Sequence, residues 1–239
     1  MKTFDELSVQ YPAMCPYVQN IPTRLKTSFT LQVYEPGAII HYKDTPIERV
    51  GIVVEGEHNV INLFENGNVF LIEKNKAISF IGEVTILSDY PRTSVTIQAA
   101  SRCVVLYWSV PNFLWWIESD NHFLRLVSRD VARKLYRTSY RSGERLFYSS
   151  TYIVGHYILS RFRETPKVGE DVPVSTTRDY MCQELGMNIK TLNRAIAKLK
   201  DQGFITLVKG KIHIITEQVQ PLERYLEELC NTTKNGCAR

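Results

Sequence analysis

The hydrophobic pattern changes character twice along the chain. From Thr27 to Trp108, short β-branched and aromatic runs (AIIHY, VGIVVEG, HNVINLF, VFLIE, VVLYW) alternate with turn signals. Those signals are Pro36-Gly37, KDTP at 43–46 and ENGN at 65–68. Many short strands at regular spacing predict a sandwich or barrel, and Asn66-Gly67 predicts a hairpin. Ahead of them, residues 1 to about 26 predict one or two short helices around Pro12, Pro16 and Pro22.

At Ser109 the period becomes helical. Ser109 is an N-cap residue type and Pro111 fits a first turn. A long helix is expected from near Asp120 toward Ser150, with Leu124, Val127, Val131, Leu135, Thr138, Ser142 and Arg145 inward at close to a 3.5-residue repeat. One reading lays this helix on its own domain; at about 30 residues it spans about 45 Å, longer than one face of a small β-domain, which favours a partner helix. The seam turns polar at Thr138 and Ser142, as seams do where they carry specificity or meet a ligand. A helix over Tyr152–Glu164 and a Pro/Gly loop, TPKVGEDVP, lead into a second compact unit. The expected division is 1–119, a 120–150 helix, and 151–239.

The segment Ser175–Thr216 reads as two capped helices and a hairpin. Thr177 caps RDYMCQEL, which Gly186 ends; Asn188 caps IKTLNRAIAKLKDQ, which Gly203 ends. The turn between them is only Gly-Met-Asn, a helix-turn-helix arrangement. Leu192, Ile196 and Leu199 form a buried stripe, while Lys190, Arg194, Lys198 and Lys200 face out. FITLV and IHII around a Lys209-Gly210-Lys211 tip complete a winged helix. This pattern places the first turn of the second helix and Arg194 at base edges in a DNA major groove. Lys190, Lys198, Lys209 and Lys211 would then contact phosphates.

Composition adds limits. The chain has 239 residues, 44% hydrophobic and 23% charged, with a net charge of +4. No run of about 18 apolar residues is present, so no membrane span is expected. MKTFDELSVQYPAM has scattered charges and no apolar centre, so no secretory leader is expected. The five cysteines are scattered without a CxxC pair, which fits free thiols in a reducing cytoplasm. There is no Walker loop, GxSxG or HExxH, and the strand-rich segment holds only His41 and His58, with no HxH pair. No enzyme is expected; a cupin-like metalloenzyme would need clustered ligands.

One stretch breaks the strand pattern: GEVTILSDYPRTSVT, from Gly82 to Thr96. Gly82 permits close backbone approach, Glu83–Leu87 can form a short helix, and Arg92 can supply a bidentate guanidinium stiffened by Pro91. Glu83 suits a sugar hydroxyl or the orientation of Arg92. Together these describe a pocket for a sugar phosphate.

Gly-Glu-Val followed by Pro-Arg-Thr resembles the phosphate-binding cassette of cyclic-nucleotide-binding domains. The β-rich segment, long helix and winged helix follow the order of the Crp/Fnr family of bacterial transcription regulators, over nearly the whole chain. The resemblance implies an α+β chain: a double-stranded β-helix roll of jelly-roll type, a dimerisation helix and a C-terminal winged helix-turn-helix. It implies a cytoplasmic homodimer on double-stranded DNA, with RNA polymerase as a further partner. It implies an effector in the roll, cyclic AMP or another cyclic nucleotide. By that similarity Gly82 and Glu83 meet ribose and phosphate, Arg92 and Thr93 hold the cyclic phosphate, and Thr138 and Ser139 meet the purine. Thr177, Arg178, Asn188 and Thr191 match DNA-backbone contacts, and Ile189, Lys190 and Arg194 match base-reading positions.

The chain departs from the family pattern at Ile78, where a glycine is usual, and at Ile189-Lys190, where an Arg-Glu pair is usual; a different operator is implied. Family members controlled by another effector, by redox state or by abundance alone form the alternative. A cyclic-nucleotide module docking on a protein is a further one. An iron–sulfur sensor needs an N-terminal cysteine cluster, and only Cys15 stands there; haem would need His41, His58 or His122.

Overall fold

A computed structural model describes residues 2–164 and 171–236, so Thr165–Glu170 of the expected Pro/Gly loop and Cys237 lie outside the described residues. The chain divides into two compact units, Met1–Thr138 and Ser139–Arg239.

The first unit opens with three short helices, α1 (Phe4–Gln10), α2 (Cys15–Val18) and α3 (Thr23–Lys26). Thr3 and Glu6 close a reciprocal capping box on α1. Eight strands follow: β1 (Thr30–Tyr34), β2 (Ile39–His41), β3 (Arg49–Glu55), β4 (Glu57–Leu63), β5 (Val69–Lys76), β6 (Ser79–Ile81), β7 (Thr96–Ala99) and β8 (Cys103–Ser109). They form two four-stranded antiparallel sheets in the orders β1-β8-β3-β6 and β2-β7-β4-β5. This is the expected roll. Strands β3 and β8 are buried almost throughout, which their unbroken apolar runs require.

A short helix, α4 (Glu83–Leu87), interrupts the roll between β6 and β7. After β8 come α5 (Val110–Ser119) and the long α6 (Asn121–Phe147). Ser109 caps α5 through the Asn112 amide, as expected. An aromatic cluster closes the core: Trp116 stacks on Phe123 at 3.6 Å between centroids, and Trp108 donates its indole N–H to the Leu25 carbonyl at 2.9 Å.

The long helix corrects the single expected seam. Phe123 and Val127 are buried in the roll's own core, whereas Leu124 and Leu135 stay exposed. Two stripes are therefore interleaved on one helix. Residues of α6 up to Thr138 belong to the first unit, and its remainder runs into the second.

The second unit contains α7 (Ser150–Glu164), β9 (Asp171–Pro173), α8 (Arg178–Leu185), α9 (Ile189–Asp201), β10 (Thr206–Val208), β11 (Lys211–Ile215) and α10 (Thr216–Gly236). Its core gathers Val154, Ile158, Met181, Leu192, Ile196 and Ile214. Strand β9 stands where a loop was expected; it adds a third strand to the wing by pairing with β11, Val172 opposite Ile214. Pro173 is tolerated because β9 lies at the sheet edge. Arg161 grips both Glu184 oxygens at 2.7 Å, and Tyr157 donates to the same carboxylate at 2.5 Å, which fixes α8 against α7.

Candidate functional site

The cassette Gly82–Thr96 folds around a turn that only glycine accommodates. Gly82 has φ 91°, and a Cβ there would meet Ile47 Cγ2 at 3.2 Å and the Arg49 carbonyl at 3.3 Å. Helix α4 starts at the next residue. The chain returns through exposed Asp89–Arg92 and re-enters the fold at buried Thr93, whose amide donates to the Thr45 carbonyl at 3.1 Å.

This turn borders a cavity of ≈ 370 Å³. Gly82, Glu83 and Thr93 of the cassette and Val131, Lys134, Leu135 and Thr138 of α6 all line it. The volume falls within the range of about 300–1,000 Å³ usual for small-molecule sites. Ser139, exposed on α6, is not among the lining residues.

Glu83 is 2% exposed and pairs with Lys134, Nζ to Oε1 at 2.5 Å. Lys134 also reaches Asp130 at 2.9 Å and the Phe80 carbonyl at 3.4 Å. Burial opposes the charge on Lys134, but the Glu83 and Asp130 carboxylates outweigh it and raise its pKa. The ion pair thus ties the cassette to the long helix.

Arg92 departs from the expected placement. Its guanidinium lies outside the cavity lining and donates to the Asp44 carbonyl at 2.7 Å. It sits on an exposed turn behind Pro91, where a nearby carbonyl is the partner within reach.

The cavity also contains a polar cluster that the sequence reading missed. His58, Glu73 and Asn75 are buried on the inner face of the β2-β7-β4-β5 sheet and line the cavity. His58 stands opposite Asn75, and Val60 opposite Glu73, in the β4–β5 ladder. Glu73 pairs with Arg137 of α6 at 2.5 Å, and Arg137 lies 3.5 Å from Asn75 Oδ1. Burial, then the charge of Lys134, pushes the His58 pKa down to about 4. Among the described residues, His58 Nδ1 and Asn75 Nδ2 have no hydrogen-bond partner. The available signal was the period-2 alternation of VFLIEKNK, which puts Leu71, Glu73 and Asn75 on one face. Of the other histidines weighed as ligands, His122 bonds the Pro16 carbonyl at 2.9 Å. His41 has its pKa lowered by burial and then by Arg49. Cys103 and Cys182 have their thiol pKa values raised by burial.

In the second unit the helix-turn-helix is built as expected. Asn188 Oδ1 accepts from the Thr191 amide at 2.9 Å and Thr177 Oγ1 from the Tyr180 amide at 3.2 Å. Helix α9 buries Leu192, Ala195, Ile196 and Leu199. It exposes Ile189, Lys190, Arg194 and Lys198, with Thr191 half-buried. It ends in a Schellman pair, Phe204 amide to Leu199 carbonyl at 3.0 Å and Gly203 amide to Lys200 carbonyl at 2.8 Å. The wing turns at Lys209-Gly210, both with positive φ, the geometry of a type I′ hairpin, and exposes Lys209 and Lys211. Arg178 bonds Asn193 of α9 and, at 3.5 Å, the Gly210 carbonyl, so it links the first helix, the second helix and the wing. An amphipathic helix whose outer face carries Lys190, Arg194, Lys198 and Lys200 beside a basic hairpin tip matches the groove-and-phosphate geometry of duplex DNA.

Residues 31–120 match the cyclic nucleotide-binding domain family, and residues 154–225 match the Crp-like helix-turn-helix domain family. The chain belongs to the Crp/Fnr family of transcription regulators. It is 22% identical over 184 residues to the cAMP-activated global transcriptional regulator CRP of Salmonella typhimurium, covering 76% of this chain and 87% of that protein. The CRP of Pasteurella multocida is 23% identical over 170 residues, 70% of this chain and 81% of that one. In fold, the chain is similar to the c-di-GMP responsive global regulator CLP of Xanthomonas campestris, with a TM-score of 0.71 at 12% identity over 85% of this chain and 98% of that one. A CRP/FNR-family regulator from Thermus thermophilus gives a TM-score of 0.65 at 19% identity, over 83% of this chain and 98% of that one. As a Crp/Fnr-type regulator the chain carries an effector-binding domain and a DNA-binding helix-turn-helix, and this family's members are transcription regulators, not enzymes. No helix among the described residues is long and apolar enough to cross a membrane.

Proposed function

We propose that this Crp/Fnr regulator is a cytoplasmic homodimer switched by a cyclic nucleotide held in the roll. The observation that carries this reading is the lining of the cavity, which joins Gly82, Glu83 and Thr93 of the cassette to Val131, Lys134 and Thr138 of α6. A ligand there touches both the cassette and a helix that also exposes Leu124 and part of Leu135. Occupancy then favours one arrangement of the paired helices, a population shift set by the ligand's differential affinity for the two states.

In this reading Gly82 and Thr93 take the phosphate, Arg92 swings in from Asp44 to neutralise it, and Glu83 meets the ribose. Thr138 and Ser139 act at the purine end. Two α9 helices sit about 34 Å apart on successive major grooves. Ile189, Lys190 and Arg194 read bases; Thr177, Arg178, Asn188, Thr191, Lys198, Lys209 and Lys211 hold the backbone. RNA polymerase is the partner once the dimer is on DNA.

Calorimetric titration of the full chain with cyclic AMP and cyclic GMP tests this, with Arg92→Ala as control. Binding that the substitution abolishes supports the reading; the absence of binding to either nucleotide sinks it. The position of Arg92, engaged by Asp44 outside the cavity, favours a second reading: an effector without a cyclic phosphate.

A further inference from the structure

The interior of a β-roll is normally apolar, because burying an unpaired amide or imidazole nitrogen costs roughly 1–3 kcal/mol. Here three polar side chains, His58, Glu73 and Asn75, are buried on one sheet face and line a cavity. Asn75 is 5% exposed and His58 1% exposed. Asn75 Nδ2 and His58 Nδ1 have no hydrogen-bond partner among the described residues. Glu73, on the same face of β5 two positions from Asn75, has its charge paired by Arg137 from α6. Leu71, the preceding buried position of β5, is apolar and does not line the cavity, so the polar residues of this face are the ones at the cavity. A polar ligand in the cavity would satisfy them.

The donor and acceptor pattern selects among bases. A carboxylate has two oxygens and, ionised, only accepts hydrogen bonds. The Watson–Crick edge of guanine offers two adjacent donors, N1–H and the N2 amine, beside one acceptor, O6. A carboxylate takes both donors at once, and an amide N–H takes O6. Adenine offers one donor, the N6 amine, beside the N1 lone pair, which would face a carboxylate oxygen without a proton between them. We propose that this pocket takes guanine in preference to adenine, with Glu73 accepting from N1–H and N2–H and Asn75 Nδ2 donating to O6. His58 is neutral in this setting, because burial and then Lys134 push its pKa down to about 4, so it adds no competing cation. The proposal rests on the cyclic-nucleotide reading above and narrows it to a cyclic guanine nucleotide.

Calorimetry on the full chain tests it with three ligands: cyclic GMP, cyclic AMP and cyclic IMP, which keeps N1–H and O6 but lacks the N2 amine. The expected order is cyclic GMP tightest, with cyclic IMP weaker by about tenfold and cyclic AMP weaker still, since a site built around hydrogen bonds discriminates strongly against a ligand that leaves them unmade. Glu73→Gln should bring cyclic GMP and cyclic AMP to within a few-fold of each other. The ligand series needs no substitution, so it stands even if that variant folds poorly. Cyclic AMP binding as tightly as cyclic GMP, or cyclic IMP matching cyclic GMP, would overturn the guanine assignment and leave the cyclic-nucleotide reading in place. Binding of none of the three would overturn both.

Discussion

Lys134 on the long helix reaches into the roll and meets Glu83 of the cassette at 2.5 Å, with the carboxylate 2% exposed and the lysine side chain 14% exposed. Breaking a buried pair by removing one partner leaves an uncompensated charge, which costs about 3–5 kcal/mol. Lys134→Met should therefore destabilise the first unit by that order, read from urea unfolding. The double variant Lys134→Met/Glu83→Leu should recover most of the loss. Additive losses in the double variant would show that the pair is not coupled.

The same lysine gives a pH signature. Its folded pKa is raised above the ordinary 10.5, so its stabilising contribution is complete below that value and is lost as pH rises through the folded pKa. Urea midpoints should fall more steeply above about pH 10.5 in the wild type than in the Lys134→Met/Glu83→Leu variant.

His58 acts at the other end of the scale. Its pKa falls from 6.5 to about 4 on folding. The unfolded chain takes up the proton first, so stability declines as pH falls from about 6.5 and the loss is complete below about 4. The full effect is on the order of 3 kcal/mol. His58→Gln should flatten that slope in urea melts between these limits; an unchanged slope would assign the acid sensitivity to other groups.

On the DNA side, Arg194→Ala should cost about 1–3 kcal/mol on the best duplex and relax preference at one base position. Lys209→Ala should weaken all duplexes alike and reduce the salt dependence by about one ion. Fluorescence anisotropy with a set of single-base variants separates the two patterns.

Leu135 is 67% exposed on α6, which also exposes Leu124. Placing a charge in a helix pair costs stability at the seam. Leu135→Glu should convert dimer to monomer in analytical ultracentrifugation at micromolar protein.

Where local chemistry decides structure, the sequence was sufficient. Asn66-Gly67, the Ser109 cap, the Gly-Met-Asn turn and the basic face of α9 all follow from short-range rules. The misreadings came from long-range packing. The 3.5-residue count put Val127 on the partner seam, but Val127 and Phe123 pack into the roll core, because one helix carries two apolar stripes whose periods overlap. Strand β9 is three residues with a terminal proline and exists through its pairing to β11. Arg92 belongs to the cassette by spacing, yet its side chain follows an exposed turn to the Asp44 carbonyl. Glu73 and Asn75 share one face of β5 by its alternation, but the Arg137 partner of Glu73 and the unmet amide of Asn75 depend on long-range packing.

The central claim is that a nucleotide in the roll controls DNA binding by the winged helix. The direct measurement is affinity for a two-fold symmetric duplex, selected from a random pool, with and without cyclic GMP and cyclic AMP. A cyclic nucleotide should tighten wild-type binding by about tenfold or more, a coupling in the usual range of about 1–3 kcal/mol, and Arg92→Ala should not respond. Equal affinity with and without either nucleotide in the wild type would contradict the claim.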